Sequence, residues 1–292
     1  LYIASHEPHT PIQPPLEYSS LYVNKSVDSL RNNVLYGGVK RPVEDLSEYS
    51  KEYYGTVSQL DQAFGRLMQT LKDIGEEDNT LVLFTSDNGP ETPVTIEESR
   101  GEWHDPLRNK CFGTPGIYRG MKRYPYEGGH RVPGIVRLPG IITAGSTSDI
   151  LFTGIDVLPT LCTITKSDLP NGRKIDGVEN FNAFLGKETK ERSTPAIWYY
   201  PHHSDTWFRL PQVSMRYDNY SIIGWLPEKP DSMKLNQWFF NYVPERFELY
   251  KLDTDPSQQN DISSEEPELM EKLVPVIQRL WVEMRDEGKT EI

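Results

Sequence analysis

The sequence predicts an α/β fold, with a mostly parallel, helix-covered sheet followed by a small C-terminal α+β subdomain. Three observations carry this reading. A helical pattern runs from about Tyr49 to Ile74, with Tyr54, Val57, Leu60, Phe64, Leu67, Leu71 and Ile74 recurring at spacings of three and four. Thr80-Leu81-Val82-Leu83-Phe84-Thr85 follows, a short apolar run between polar turns. Such a run suits a central strand buried on both faces. After about residue 190 come strands in series and then a helix, the order expected of an α+β unit. The expected division is therefore residues 1–190 and residues 191–292.

The elements follow in order. Leu1 to Ala4 reads as the end of a buried strand. The chain opens inside that apolar run and without Met, so its start is expected to lie upstream. Residues 5–48 read as loop, with four prolines from Pro8 to Pro15 and a turn at Gly37-Gly38. Gly75 is the expected stop of the long helix. Residues 91–130 are punctuated by Gly and Pro and lack periodicity; an irregular segment of that length is usually functional or disordered. Val132–Arg137 is a strand candidate and Asp156–Ile164 a short helix. Gln212–Tyr217 and Tyr220–Leu226 form a hairpin through Asp218-Asn219. Phe247–Leu252 is a further strand. Glu265–Glu287 is a helix with Leu269, Leu273, Val276, Leu280 and Met284 on one side, and Pro275 is expected to kink it or mark its start.

Composition excludes several classes. The 292 residues carry 31 Lys and Arg against 43 Asp and Glu, a net charge of −12. That balance opposes binding to nucleic-acid phosphates, although a local basic cleft for a small anion remains compatible with it. No apolar run is long enough for a transmembrane helix. Two cysteines, Cys111 and Cys162, make neither a disulfide framework nor a four-thiolate zinc site. Asn24-Lys25-Ser26 and Asn219-Tyr220-Ser221 are glycosylation acceptor patterns and point to a secreted context.

Three clusters could carry chemistry. Ser5-His6-Glu7-Pro8-His9-Thr10-Pro11 follows the first strand candidate, where open α/β sheets bind ligands. A histidine there can move protons near neutral pH or bind an anion. Thr85-Ser86-Asp87-Asn88-Gly89-Pro90-Glu91 follows the second strand. Asp87 and Asn88 offer the oxygen donors that Ca²⁺ or Mg²⁺ prefers, though two donors cannot complete a shell of six to eight. A plain Asp-Asn-Gly turn is the alternative for that segment. Gly120 to Pro133 places Lys122, Arg123, His130 and Arg131 close together around the diglycine Gly128-Gly129. The diglycine permits close backbone approach, and a lysine point charge suits a tetrahedral anion. A solvated basic loop is the alternative there.

Together these motifs resemble the sulfatase family, within the alkaline phosphatase superfamily. The succession is a His-Glu-Pro-His-Thr-Pro turn, an amphipathic helix, a strand ending in Ser86-Asp87-Asn88-Gly89, and Gly120-Met121-Lys122 running into Tyr126-Glu127-Gly128-Gly129-His130-Arg131-Val132-Pro133. Asp156-Val157-Leu158-Pro159-Thr160-Leu161, Asp176-Gly177 and Glu248-Leu249-Tyr250-Lys251-Leu252 to Asp255-Pro256 and Asn260 extend the match over the chain. The resemblance implies an alkaline phosphatase-like fold and a sulfuric ester hydrolase. It implies Asp87 and Asn88 as ligands of one divalent ion, Ca²⁺ or alternatively Mg²⁺. It implies Lys122 and His9 as catalytic and sulfate-contacting residues, with the leaving-group proton coming from either. His130 is a further substrate-binding candidate, as is His6, while Glu127 and Arg131 are read as bracing the diglycine turn.

The pattern is also incomplete. Sulfatases begin with an Asp-Asp pair and a Cys- or Ser-x-Pro-x-Arg motif whose first residue becomes formylglycine, the nucleophile. Neither Cys111 nor Cys162 lies in such a motif. The nucleophile is therefore expected in a missing N-terminal segment, and residues 1–292 alone are expected to be inactive. A phosphomonoesterase or phosphodiesterase of the same superfamily and a non-catalytic binding module that keeps the fold are the competing readings. A small sulfated substrate, such as a sulfated sugar, is the expected partner, and an exported location follows from the resemblance. Trp103, His104, Trp198, Tyr199, His202, His203 and Trp207 are candidates to line a substrate pocket or, equally, ordinary surface and core aromatics.

Overall fold

The computed structural model describes residues 1–9, 11–22, 35–36, 39–40, 47–91, 113–187, 192–200 and 212–289. The turn at Gly37-Gly38, the Asn24 acceptor pattern, Cys111, Trp103, His104, His202, His203 and Trp207 lie outside the described residues. The chain divides into two compact units. One contains Leu1–Gly65, Asn88–Arg131 and Ile197–Ile292, and the other Arg66–Asp87 and Val132–Ala196.

The helices are α1 (Leu16–Ser19), α2 (Ser47–Asp73), α3 (Glu127–His130), α4 (Val157–Thr165), α5 (Phe181–Phe184), α6 (Leu235–Asn241) and α7 (Pro267–Lys289). The strands are β1 (Leu35–Tyr36), β2 (Val39–Lys40), β3 (Val82–Thr85), β4 (Gly134–Arg137), β5 (Ala196–Tyr199), β6 (Val213–Tyr217), β7 (Tyr220–Trp225) and β8 (Arg246–Lys251). Helix α2 occupies the predicted span. Tyr54, Leu60, Phe64, Leu67 and Leu71 on its apolar face are half-buried, whereas Val57 and Ile74 are exposed. It ends as Gly75 predicts. Gly75 takes a positive φ of 75°, its N–H donates to Lys72 O, and the Glu76 N–H donates to Leu71 O. These two bonds are the Schellman closure that satisfies the last carbonyls of a helix.

Two sequence expectations are corrected here. Residues 1–6 carry no regular structure, and Leu1, Tyr2 and Ile3 are exposed. A strand needs a partner for its N–H and C=O groups, and no described strand pairs with this segment. Strand β3, predicted as a central parallel strand, pairs antiparallel with β4, with Val82 opposite Arg137 and Thr85 opposite Gly134. It is half-buried, and its last residue is exposed. Apolar runs report burial and not pairing direction, which is why the sequence misjudged this pair. All described pairing registers are antiparallel.

In the unit that holds β3 and β4, buried polar chemistry orders the loops around α4. Asp156 is fully buried. Its carboxylate accepts the Thr153 N–H and hydroxyl at 2.8 and 2.9 Å and the Val178 N–H at 2.9 Å. It also accepts both terminal nitrogens of Arg192, at 2.6 and 3.0 Å. Asn180 is tied to the same helix through its N–H, which donates to the Thr160 hydroxyl at 3.0 Å.

The other unit contains the C-terminal sheet, ordered β5-β6-β7-β8. The β6–β7 hairpin turns at Asp218-Asn219 as expected, with Asp218 at a φ of 47°. Period-2 alternation covers both faces. Val213, Met215, Ile222 and Leu249 pack with Trp238 of α6 and Leu273, Ile277, Leu280 and Trp281 of α7. Ile223, Trp225, Tyr250 and Leu252 pack on the other face with Met121, Tyr124 and Tyr126. Pro275 lies inside α7 and does not start it.

Arg192→Ala is expected to destabilise the protein by on the order of 3 kcal/mol, because it strips the counter-ion from a buried carboxylate. Burial alone would raise the Asp156 pKa, but Arg192 and the Val178 and Thr153 N–H groups overcome burial and hold it below its ordinary value of 3.8. Its stabilising effect is thus present at neutral pH and is lost as pH falls through the lowered folded value. Urea denaturation at pH 7 and at pH 3 should show a larger difference between wild type and variant at pH 7.

Candidate active site

The site rests on a backbone junction between the segment after β3 and the turn around α3. The Gly89 N–H donates to Gly129 O at 2.8 Å, and the Lys122 N–H donates to Pro90 O at 2.9 Å. Within the turn, the Gly128 N–H donates to Arg119 O at 2.7 Å, the Gly129 N–H to Tyr126 O at 2.8 Å and the Tyr124 N–H to Met121 O at 2.9 Å. The backbones approach too closely for side chains. A Cβ on Gly89 would lie 1.9 Å from Gly128 O, and one on Gly129 would lie 1.9 Å from Tyr124 O. This is the close approach that the diglycine suggested.

Lys122 leaves this junction with its side chain partly exposed. Its Nζ lies 3.4 Å from His9 Nε2 and 3.6 Å from Glu91 Oε2. An ammonium only donates, so His9 Nε2 accepts in this contact. The His9 N–H donates to His6 O at 2.8 Å, and the two rings meet edge to face with centroids 5.4 Å apart. The turn that holds them contains a cis Glu7–Pro8 bond. Arg123, at a φ of 77°, also ion-pairs with Glu91. The two predicted catalytic residues, His9 and Lys122, are thus brought together although they lie 113 positions apart.

Asn88 opens the same segment, half-buried. Its amide nitrogen donates to Gly89 O at 2.9 Å, and its Oδ1 is an oxygen acceptor of the kind a hard cation takes. Asp87 is exposed just beyond the tip of β3, and Ser86 Oγ lies 3.5 Å from its Oδ1. An all-oxygen pair fits a hard divalent cation. No group of three or more His, Cys, Asp or Glu arranged to hold a metal occurs among the described residues, so these two can supply only part of a coordination shell.

His130 stacks flat on Trp198, with ring centroids 4.0 Å apart and planes inclined by 7°. Burial, opposed by Glu127 and reinforced by Arg216, pushes its pKa down to about 4. It is neutral at neutral pH and carries no positive charge toward an anion. Trp198 therefore serves as its stacking partner. Tyr199, another pocket candidate, packs edge to face on Trp281 at 6.4 Å. Glu127 is buried and pairs with Arg131 at 3.3 Å. A stronger partner was missed by the sequence reading: Arg216 of β6 approaches both Glu127 carboxylate oxygens at 3.1 Å. Strand alternation could have found it, since it places Arg216 on the face opposite Met215.

The sulfatase sequence profile matches residues 1–167. The chain belongs to the sulfatase family. A second profile, N-sulphoglucosamine sulphohydrolase, C-terminal, matches residues 116–287 of this sulfatase chain. An N-acetylgalactosamine-6-O-sulfatase of Bacteroides thetaiotaomicron is 29% identical over 227 residues, covering 76% of this chain and 40% of that protein. Human arylsulfatase A is 36% identical over 150 residues, covering 51% of this chain and 26% of that protein. A solved structure described under the metabolism of multiple glycosaminoglycans by Bacteroides thetaiotaomicron superposes with a TM-score of 0.64 at 23% identity, covering 96% of this chain and 50% of that one. The α/β fold is thus the sulfatase fold, and the chain spans half or less of the length of each of these proteins.

Gly89→Ala is expected to lower the melting temperature, because its methyl group would displace a backbone carbonyl, a strain of about 1–3 kcal/mol. Gly65→Ala, inside α2 with nothing within 4 Å of a new Cβ, should raise it by relieving about 0.5–1 kcal/mol of helix cost. Thermal melts of both variants against wild type check the pair.

Proposed function

We propose that this chain supplies the anion-binding, proton-transferring and part of the metal-binding apparatus of a sulfatase that hydrolyses sulfate monoesters, with a sulfated sugar as substrate. The observation that carries the reading is the 3.4 Å approach of Lys122 Nζ to His9 Nε2. Family membership supports the reaction class, and the N-acetylgalactosamine-6-O-sulfatase relative supports the sugar. No Cys- or Ser-x-Pro-x-Arg motif occurs in residues 1–292. We therefore assign the nucleophile, a formylglycine by family resemblance, to sequence outside this range, consistent with the partial span of the relatives. An exported location belongs to the same proposal.

Hydrolysis of a sulfate ester requires attack at sulfur, compensation of the charge on the sulfate oxygens, and a proton for the departing alkoxide. Lys122 contributes a fixed positive charge to the sulfate and the bridging oxygen, and preorganised charge of this kind is usually a large catalytic contribution. In this reading His9 accepts from Lys122 at Nε2, and the pair passes a proton to the leaving oxygen as the S–O bond breaks. Glu91 Oε2, 3.6 Å from the same Nζ, is a second partner of the ammonium. Asp87 and Asn88 Oδ1 would hold a divalent cation, Ca²⁺ in this proposal, which when bound polarises sulfate oxygens. His130 presents a neutral ring and contributes shape rather than charge.

In the whole protein, Lys122→Ala and His9→Ala are each expected to lower turnover of an aryl sulfate by roughly 10²–10⁴-fold. Steady-state kinetics measure this, and wild-type turnover in either variant would overturn the assignment of that residue.

A further inference from the structure

The turn that carries Lys122 is held by two residues, one on β6 of the C-terminal sheet and one in the loop after β8, to which neither the motifs nor the proposed reaction gives a role. Gln258 binds it in two ways. Its side-chain Oε1 accepts the Glu127 N–H at 2.7 Å, and its backbone O accepts Arg119 Nη1 at 2.9 Å. The Gln258 amide nitrogen donates to the Ser221 hydroxyl of β7 at 3.1 Å, which anchors the glutamine to the sheet. Gln258 is fully buried and sits at a φ of 50°. Arg216 of β6 donates to both oxygens of the buried Glu127 carboxylate at 3.1 Å. Arg119 lies over the Tyr126 ring, its Cζ 3.9 Å from the centroid, and donates to the Tyr250 hydroxyl of β8 at 3.0 Å.

These contacts grip both ends of the segment from Arg119 to Glu127, and Lys122 lies between the grips. The closure between the ends is the Gly128 N–H donating to Arg119 O. The link onward runs through the Lys122 N–H to Pro90 O and the Gly89 N–H to Gly129 O. We propose that Arg216 and Gln258 are positioning residues for Lys122, setting through Glu127 and Arg119 where its ammonium meets the sulfate. This inference rests on the reading of Lys122 as a residue that contacts the substrate. Neither Arg216 nor Gln258 touches Lys122 or the substrate in this scheme. A misplacement of about 1 Å in a reacting group can cost on the order of 10²-fold in rate, so an indirect grip is enough to be visible in turnover.

The test is a double-mutant cycle in the whole protein, with aryl sulfate turnover and a thermal melt recorded for every variant. Gln258→Ala and Arg216→Ala should each lower kcat by roughly 10- to 100-fold. In the Lys122→Ala background the same substitutions should lower it by less than about twofold, since nothing remains to be positioned. Arg216→Lys, which keeps a donor and a charge, should recover part of the loss, and it carries the arginine arm if Arg216→Ala does not fold. A merely structural role would lower stability and give the same fold-loss in both backgrounds; that result, or wild-type kcat in Gln258→Ala, would overturn the inference. Wild-type turnover in Lys122→Ala alone would instead overturn the underlying reading of the site, and this inference with it.

Discussion

The site depends on a single close approach of two backbones. Gly89 meets the Gly128-Gly129 pair so tightly that a methyl group on Gly89 would fall 1.9 Å from Gly128 O, and within the turn one on Gly129 would fall 1.9 Å from Tyr124 O. At that separation the contact is made by peptide groups alone, and its geometry is set by hydrogen bonds of fixed direction. Lys122 inherits its position from this junction through its own N–H, and Asn88 through its covalent bond to Gly89. A side chain at Gly89 would push the segment after β3 away from the turn that carries Lys122.

Charge is arranged around this junction with little waste. The protein carries a net charge of −12, yet the turn concentrates Lys122, Arg123 and Arg131 and receives Arg216 from the sheet. Most of that positive charge is already committed: Arg123 to Glu91, and Arg131 and Arg216 to Glu127. Lys122 shares Glu91 at 3.6 Å, a looser pairing. Burial pushes the Tyr250 phenol up, while Glu248 raises and Arg119 lowers it, so Tyr250 stays a donor to Glu248 at 2.8 Å. The scaffold therefore spends its buried ionic groups on holding the turn in place and leaves the lysine–histidine pair accessible.

Much of this was legible in the sequence, for identifiable reasons. The α2 periodicity, the Gly75 stop and the Asp218-Asn219 turn are local signals, and local physics produced the predicted structures. The Asp87-Asn88-Gly89 and Gly128-Gly129 motifs were legible because glycine is required wherever a backbone leaves no room for Cβ. What escaped was non-local. The antiparallel partner of β3 depends on where β4 returns, which an apolar run does not encode. Leu1 to Ala4 reads as strand by composition, but strand formation needs a partner that the composition does not name. Arg216 and Gln258 belong to residue types that are common on any surface; strand alternation turns Arg216 toward Glu127, whereas Gln258 reaches the Glu127 N–H from the loop after β8. His130 looked like one more cation in a basic cluster, whereas its burial beside Trp198 pushes its pKa down.

The central claim is that Lys122, His9 and the Asp87-Asn88 tip serve one tetrahedral anion. A crystal structure of the whole protein soaked with sulfate and calcium tests this most directly. The account expects a sulfate within hydrogen-bonding distance of Lys122 Nζ and His9 Nε2, and a cation bound by Asp87 and Asn88 Oδ1 touching the same sulfate. A well-occupied sulfate and cation bound elsewhere, with the lysine–histidine pair facing neither, would contradict it.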